Sequence, residues 1–310
     1  MTLSWTRKSI AAGLGLATTL FLSLPGCGGK STEVGDAVVV PEPGVSLPSS
    51  GGPAPAATST APGAAAPTPS TPSAPVKAEG WGTLKGQVTL SGNPPAPKEL
   101  RAKGKAEKDP TVCAKDDPIM NERLVVEGPT KGVKNVLVYI PKPSAVNEEA
   151  KSKAATAKLE FDQQNCTFKP HVLAVETGTP VELKNSDPVN HNINSRLKNN
   201  GFNKLLSGNQ RQEQPVNAPE RIPGELTCDI HPWMKAYWMV LDNPYFAVTD
   251  KKGNFEIKDV PAGTQKVVVW QEAVAPNGFV TAPTGEGVDI KANDTTTKSF
   301  TIDAGKLRPE

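Results

Sequence analysis

Cys228, His231 and Met234 recur at a three-residue interval in the run Cys228-Asp229-Ile230-His231-Pro232-Trp233-Met234. One short loop therefore carries a thiolate, an imidazole and a thioether. A second imidazole, His191, lies upstream in Asn185-Ser186-Asp187-Pro188-Val189-Asn190-His191-Asn192. Two imidazole nitrogens, one thiolate and a weak axial thioether are the donor set of one-electron copper sites. Thiolate and imidazole satisfy both the softer reduced ion and the harder oxidised one, so little rearrangement accompanies a change of valence. On this reading His191, Cys228, His231 and Met234 hold a single type 1 copper ion. Asn192, beside His191, is placed to pin the Cys228 loop, and Pro232 stiffens the loop's curl. Pro232 and Trp233 flank His231 and are expected to form an apolar patch on which a redox protein docks.

Counting limits the alternatives. The chain has three histidines and four cysteines. A type 2 or trinuclear copper centre needs more imidazoles, and a binuclear electron-transfer centre needs two cysteines in one loop. Zinc accepts cysteine and histidine but takes a thioether poorly. No phosphate-binding glycine loop, Ser-His-Asp arrangement or paired-carboxylate motif stands out, so no enzymatic activity is expected. His171 is expected to begin a strand rather than to bind metal. The net charge is +2 with both signs interspersed, which suggests no nucleic-acid partner.

The other three cysteines divide by context. Residues 1–26 carry Arg7 and Lys8 and then a largely apolar run from Ile10 to Leu24, the layout of an export signal. Leu24-Pro25-Gly26-Cys27 resembles the bacterial lipoprotein cleavage box. That resemblance implies lipidation of Cys27, anchorage to a membrane without a span, and a place in the cell envelope on the extracytoplasmic side. Gly28 in the next position favours the outer membrane of a periplasm-bearing cell. Residues 27–79 form a linker rich in Pro, Ala, Ser and Thr, with no charge between Pro43 and Val76. Such a tract cannot bury enough apolar surface to offset its ordering entropy, so disorder is expected. In an oxidising compartment Cys113 and Cys166 pair most simply as a disulfide, the alternative being two free buried thiols.

From Trp81 onward the pattern is one of strands. Trp81 to Leu90 alternates apolar and polar residues and stops at Ser91-Gly92-Asn93-Pro94-Pro95. Val133 to Ile140 is a β-branched run, and two short strands surround Gly178-Thr179-Pro180. Phe246–Thr249 and Phe255–Ile257 are expected to pair as a hairpin across Asp250-Lys251-Lys252-Gly253-Asn254. Strands are also expected at 266–270, 288–290 and 300–302. Residues 147–158 look helical or irregular, and the polar stretch 196–214 shows no clear strand. Many short strands with Gly and Pro turns imply an all-β sandwich class.

Two resemblances refine this. The run V-T-D-K-K-G-N-F-E-I-K-D-V-P-A-G-T-Q-K-V-V-V-W, residues 248–270, resembles the carboxypeptidase regulatory-like (transthyretin-like, prealbumin-like) β-sandwich. Gly86-Gln87-Val88 and Gly132 to Val138 fit that module's opening strands. The loop C-D-I-H-P-W-M is similar to the ligand loop of amicyanin-type and plastocyanin-like cupredoxins, C-T-P-H-P-F-M, and N-x-D-P-x-x-H-N resembles their first-histidine segment. This likeness implies a Greek-key blue-copper domain over residues 158–243. The expected order is leader 1–26, linker 27–79, first transthyretin-like strands 80–142, an inserted cupredoxin domain 158–243, and the rest of the transthyretin-like domain over 244–304. Simple tandem domains remain the alternative. The functional expectation is a tethered blue-copper electron carrier serving redox protein partners. Copper sequestration without a redox partner, or a non-metal structural or adhesion module, are the competing expectations.

Overall fold

The computed structural model describes residues 79–309. The leader, Cys27 and the linker up to residue 78 lie outside the described residues. The described residues are nearly all β, with one short α-helix among them, Glu148–Ala155, started by the Asn147 side chain accepting from the Glu149 and Ala150 amides, and a single 3-10 turn at Ala304–Lys306.

One β-sandwich carries the ligand candidates. Its first sheet runs, in spatial order, Phe202–Leu206, His191–Ser195, Gly224–Thr227, Lys235–Leu241 and Val172–Glu176. The facing sheet runs Arg211–Gln214, Val181–Asn185, Leu159–Gln164 and Thr167–Lys169. Phe161, Phe168, Leu183, Ile193, Leu226 and Trp238 fill the space between them. The Phe161 ring meets the Trp238 indole edge-on at 5.0 Å, an arrangement that suits the ring quadrupoles.

A second sandwich draws its strands from both sides of the first in sequence. Trp81–Ser91 lies antiparallel to Asn254–Pro261 and parallel to Thr295–Thr297 and Phe300–Asp303. The opposing sheet is Phe246–Val248, Leu137–Tyr139, Gly263–Trp270 and Glu286–Ile290. Leu84, Val88, Val138, Phe255, Val269 and Ile302 fill this core. Two glycines admit close backbone approach. A Cβ on Gly86 would lie 1.8 Å from the Lys298 carbonyl oxygen, and one on Gly132 would lie 1.9 Å from that of Lys252.

A third core joins the two sandwiches. Leu137, Tyr139, Val268 and Trp270 from one meet Val172, Ala174, Met239 and Leu241 from the other. Alternate residues of the same strands, such as Val138, Val269, Val175 and Val240, point into their own sandwich. Strands buried on both faces must be apolar at nearly every position, which accounts for the runs L-V-Y, V-V-V-W and Y-W-M-V-L. His171 and Glu272, both buried, hydrogen-bond across the same junction.

Three sequence expectations are corrected. Phe246–Val248 and Asn254–Pro261 do not pair as a hairpin; the first joins Leu137–Tyr139 and the second joins Trp81–Ser91, in opposite sheets. The turn itself closes, with the Gly253 amide donating to the Asp250 carbonyl at 3.0 Å. Turn chemistry is local, but the choice of partner strand follows from which face each strand buries. The run from Val133 to Ile140 is broken at Asn135, which takes a left-handed φ of 63°. There the Thr249 hydroxyl donates to the Val133 carbonyl and accepts from the Val136 amide. The stretch 196–214 holds two strands, Phe202–Leu206 and Arg211–Gln214, each at a sheet edge. Each buries only its last residue, Leu206 and Gln214, so little apolar pattern marks them in the sequence.

Because Trp81–Ser91 bridges segments far away in the chain, Leu84→Ala is expected to cost about 2–5 kcal/mol in denaturant unfolding. Hydrogen exchange should show lost protection in both Asn254–Pro261 and Phe300–Asp303, segments that would be unaffected if the first strand formed a separate unit.

Candidate metal centre

The site forms where two loops of the first sandwich meet. His191 begins the strand His191–Ser195. The loop before it is tied down by Asn185, whose amide group donates to the carbonyls of Val189, Leu206 and Ser207. The Asn185 side-chain oxygen accepts from the Asp187 amide at 3.0 Å. Asp187 is thereby aimed at His191, with Oδ2 2.8 Å from Nε2. The amides of Asn165 and Cys166 also donate to the Asp187 carboxylate, at 2.7 and 2.8 Å.

Cys228 follows the strand Gly224–Thr227, and the loop after it folds back on itself. The Met234 amide donates to the His231 carbonyl at 2.9 Å, and the Cys228 amide donates to the Met234 carbonyl at 3.4 Å. Met234 is buried with Cys228 in the core of the sandwich. Asn192 grips the loop from the side. Its side-chain oxygen accepts from the Asp229 amide at 2.7 Å, and its nitrogen donates to the Asp229 carboxylate at 2.7 Å. Asn194 and Asn203 donate to the same carboxylate.

The donors converge. His191 Nδ1 and His231 Nδ1 stand 2.9 Å apart, and Cys228 Sγ is 3.8 Å from His231 Nδ1. One nitrogen from each ring and the sulfur all lie within 4.8 Å of one another, and all three residues are buried. The far nitrogens decide the ring tautomers. His191 Nε2 faces Asp187, and His231 Nε2 faces Asp109 Oδ2 at 2.9 Å. A carboxylate only accepts, so each Nε2 carries the hydrogen and each neutral ring presents a bare lone pair on Nδ1. Two lone pairs and a sulfur aimed at one buried point require a cation there, either a proton or a metal ion.

The electrostatics agree. Burial pushes the Cys228 thiol up, but its hydrogen-bonding contacts with the His191 and His231 rings, where a shared proton can sit, and with the backbone of Asn192 and His231 outweigh it and bring its pKa down to about 6. Burial alone would depress His191, yet the Asp187 carboxylate and the Cys228 sulfur raise it above the ordinary imidazole value. Burial also acts to raise Asp187, and its bonds to His191, Cys166 and Asn165 hold it below the usual carboxylate range. The metal-free centre is therefore built to hold a thiolate, the protonation state that binds metal.

The expected apolar docking patch is absent. His231 has no exposed surface and Trp233 is 8% exposed; only Pro232 faces solvent. A strap, residues 102–118, crosses over this end of the sandwich between the strands Glu99–Arg101 and Ile119–Met120. Its Asp109 caps the His231 edge, while Arg101 lies over the Trp233 ring at 4.4 Å and pairs with Glu107. The Trp233 indole N–H donates to the Cys166 carbonyl at 3.1 Å. Cys113 of the strap and Cys166 form a disulfide, whose sulfurs lie within 4.8 Å of a His231 nitrogen. Sequence reasoning missed Asp109 and Asp187. Asp187 was within reach of a local signal, four residues before His191, whereas Asp109 is 122 residues from its partner. Also missed was a cleft of about 510 Å³ along the outer side of Pro232–Lys235, with His171 and Glu272 in its lining.

No family model matches this chain, and no curated protein matches it. The solved structures similar to it include three copper proteins. One is a Cu-containing nitrite reductase from Thermus scotoductus SA-01, at 23% identity and TM-score 0.25, covering 27% of this chain and 22% of that one. Another is a purple cupredoxin from Nitrosopumilus maritimus, at 24% identity and TM-score 0.24, covering 27% of this chain and 99% of that one. A third is amicyanin from Paracoccus versutus, at 14% identity and TM-score 0.24, covering 33% of this chain and 96% of that one. The chain thus spans under a quarter of the nitrite reductase's length and nearly all of the two smaller proteins'.

In metal-free protein the ultraviolet absorbance of the Cys228 thiolate is expected to titrate near pH 6, against 9.0 for an ordinary thiol, with Cys228→Ser as the blank. Because this acid is stronger in the folded state than in the unfolded chain, its stabilising contribution is complete above the unfolded thiol pKa. It is lost as pH falls through about 6. Thermal melts of wild type and Cys228→Ser should therefore differ more at alkaline than at mildly acidic pH.

Proposed function

We propose that this chain is a membrane-tethered, extracytoplasmic type 1 copper protein that carries single electrons between redox protein partners. The observation that carries the reading is the pair of carboxylate-anchored imidazoles whose Nδ1 atoms face each other at 2.9 Å beside the Cys228 sulfur. That donor set fits the ion: two nitrogens and a thiolate converge in a buried place, and the thioether-bearing Met234 ends the same loop. His191, Cys228, His231 and Met234 would hold copper, which when bound supplies a one-electron couple. The residues around it keep the donors fixed. Asp187 and Asp109 hold the rings, Asn192 holds the loop, and the packed sandwich limits how far any of them can move when charge changes.

The rest of the reading comes from outside the site. Cys27 would be the lipid attachment point, and residues 27–79 would let the folded part search for its partners. The Cys113–Cys166 disulfide suits an oxidising compartment. Residues 80–142 and 244–304 would form a transthyretin-like host into which the cupredoxin segment 158–243 is inserted. The pairing of Trp81–Ser91 with Asn254–Pro261 supports that arrangement over tandem domains.

A second reading has one observation in its favour. The strap encloses the His231 edge, as would suit a protein that stores or sequesters copper with no redox partner.

Purified protein is expected to bind one copper per chain and, when oxidised, to show an intense visible thiolate-to-copper band that Cys228→Ser abolishes. Zinc or no metal in its place would remove the electron-carrier proposal. Reversible one-electron voltammetry separates the carrier from the store, because sequestration requires tight binding but no fast electron exchange.

A further inference from the structure

The second nitrogen of His231 is served by a residue that no feature of the ligand loop announces. Asp109 occupies a left-handed backbone conformation, with φ of 47°, which is costly for a residue with a side chain. Its carbonyl accepts from the amides of Val112 and Cys113 at 2.9 and 2.8 Å. That tight turn ends on the disulfide to Cys166. The Cys166 amide in turn donates to Asp187, the carboxylate that serves His191. One covalent bridge therefore ties together the two acids that orient the two imidazoles. His231 is fully buried, while the Asp109 side chain is 40% exposed, so the His231–Asp109 hydrogen bond connects the buried donors to the protein surface.

We propose that Asp109 is a positioning residue of the proposed copper centre: its carboxylate locks His231 in the Nε2–H tautomer and sets a fixed negative charge behind the ring, biasing the site toward the more highly charged metal state. This inference rests on the electron-carrier reading above. Two physical terms act together. A hydrogen-bonded anion makes the imidazole a stronger donor through Nδ1. The same anion, on the far side of the ring, favours the oxidised ion over the reduced one by simple Coulomb attraction, reduced by solvent because the carboxylate is partly exposed. The strained turn and the disulfide, with Ala106, Cys113 and Ala114 buried in the sandwich core, would then serve to keep that charge in place on a strap whose outer surface carries exposed lysines and acids.

The test uses the full chain with Asp109→Asn, which keeps an acceptor and removes the charge, Asp109→Ala, which removes both, and Asp109→Glu, which restores the charge. With copper bound and a one-electron mediator of known potential, Asp109→Asn is expected to shift the equilibrium toward the reduced ion by about tenfold, equivalent to about 59 mV. Asp109→Glu should recover most of that shift. In metal-free protein, nitrogen NMR of His231 should show one tautomer in wild type and a mixture in Asp109→Ala. An unmoved equilibrium in Asp109→Asn, or an unmoved tautomer in Asp109→Ala, overturns the inference. Failure of wild-type protein to bind copper overturns the functional reading instead, and the tautomer measurement still decides the positioning role.

Discussion

Everything at the centre depends on where two hydrogens cannot go. Asp187 and Asp109 each occupy the far nitrogen of an imidazole, and a carboxylate has only lone pairs to offer. The hydrogens are therefore drawn outward, and the near nitrogens turn bare lone pairs on each other and on Cys228. Left without a cation this arrangement would be strongly unfavourable, since buried like-polarity groups are not screened by water. The depressed Cys228 thiol and the raised His191 run in the direction that favours a thiolate with a proton held on the facing rings. Under the proposed reading a metal ion would take that proton's place between the same supports.

Those supports reach well into the fold. The ligand loop ends in Lys235–Leu241, a strand buried on both faces. Trp238 and Val240 enter the sandwich core, while Met239 and Leu241 enter the core shared with the second sandwich. The strand that closes the metal loop is thus held between two packed layers. Close packing of this kind resists displacement, so the second sandwich contributes to the site without supplying a ligand. The buried His171–Glu272 hydrogen bond spans the same junction and gives a direction to what would otherwise be a purely apolar contact.

The strap changes the character of the site's outer face. Without it the His231 edge, Pro232 and Trp233 would present an apolar surface. With it, Trp233 lies beneath Arg101 and His231 beneath Asp109. If the proposed redox partner approaches from this side, it would meet lysines and acids at the surface, among them Lys103, Lys105, Lys108 and Glu107, all exposed. Charge would then govern that proposed encounter, and salt would weaken it.

The candidates His191, Cys228, His231 and Met234 could be named from the chain because the Cys228–Met234 run is one short loop and His191 sits beside a polar turn of its own; of these, the structure brings His191, Cys228 and His231 together and buries Met234 in the same core. The all-β class was legible because strand periodicity is also a local property. Pairing was not. Phe246–Val248 and Asn254–Pro261 read as a hairpin by turn residues, yet went to opposite sheets, since the partner of a strand depends on apolar area summed over a whole core rather than on the residues next to it. For the same reason the sequence could supply an imidazole but not its orientation. Asp109, 122 residues away, reaches His231 only through the path of the strap and its disulfide. Residue types and short spacings set which atoms can donate. Long-range packing decided which way those atoms point and what covers them.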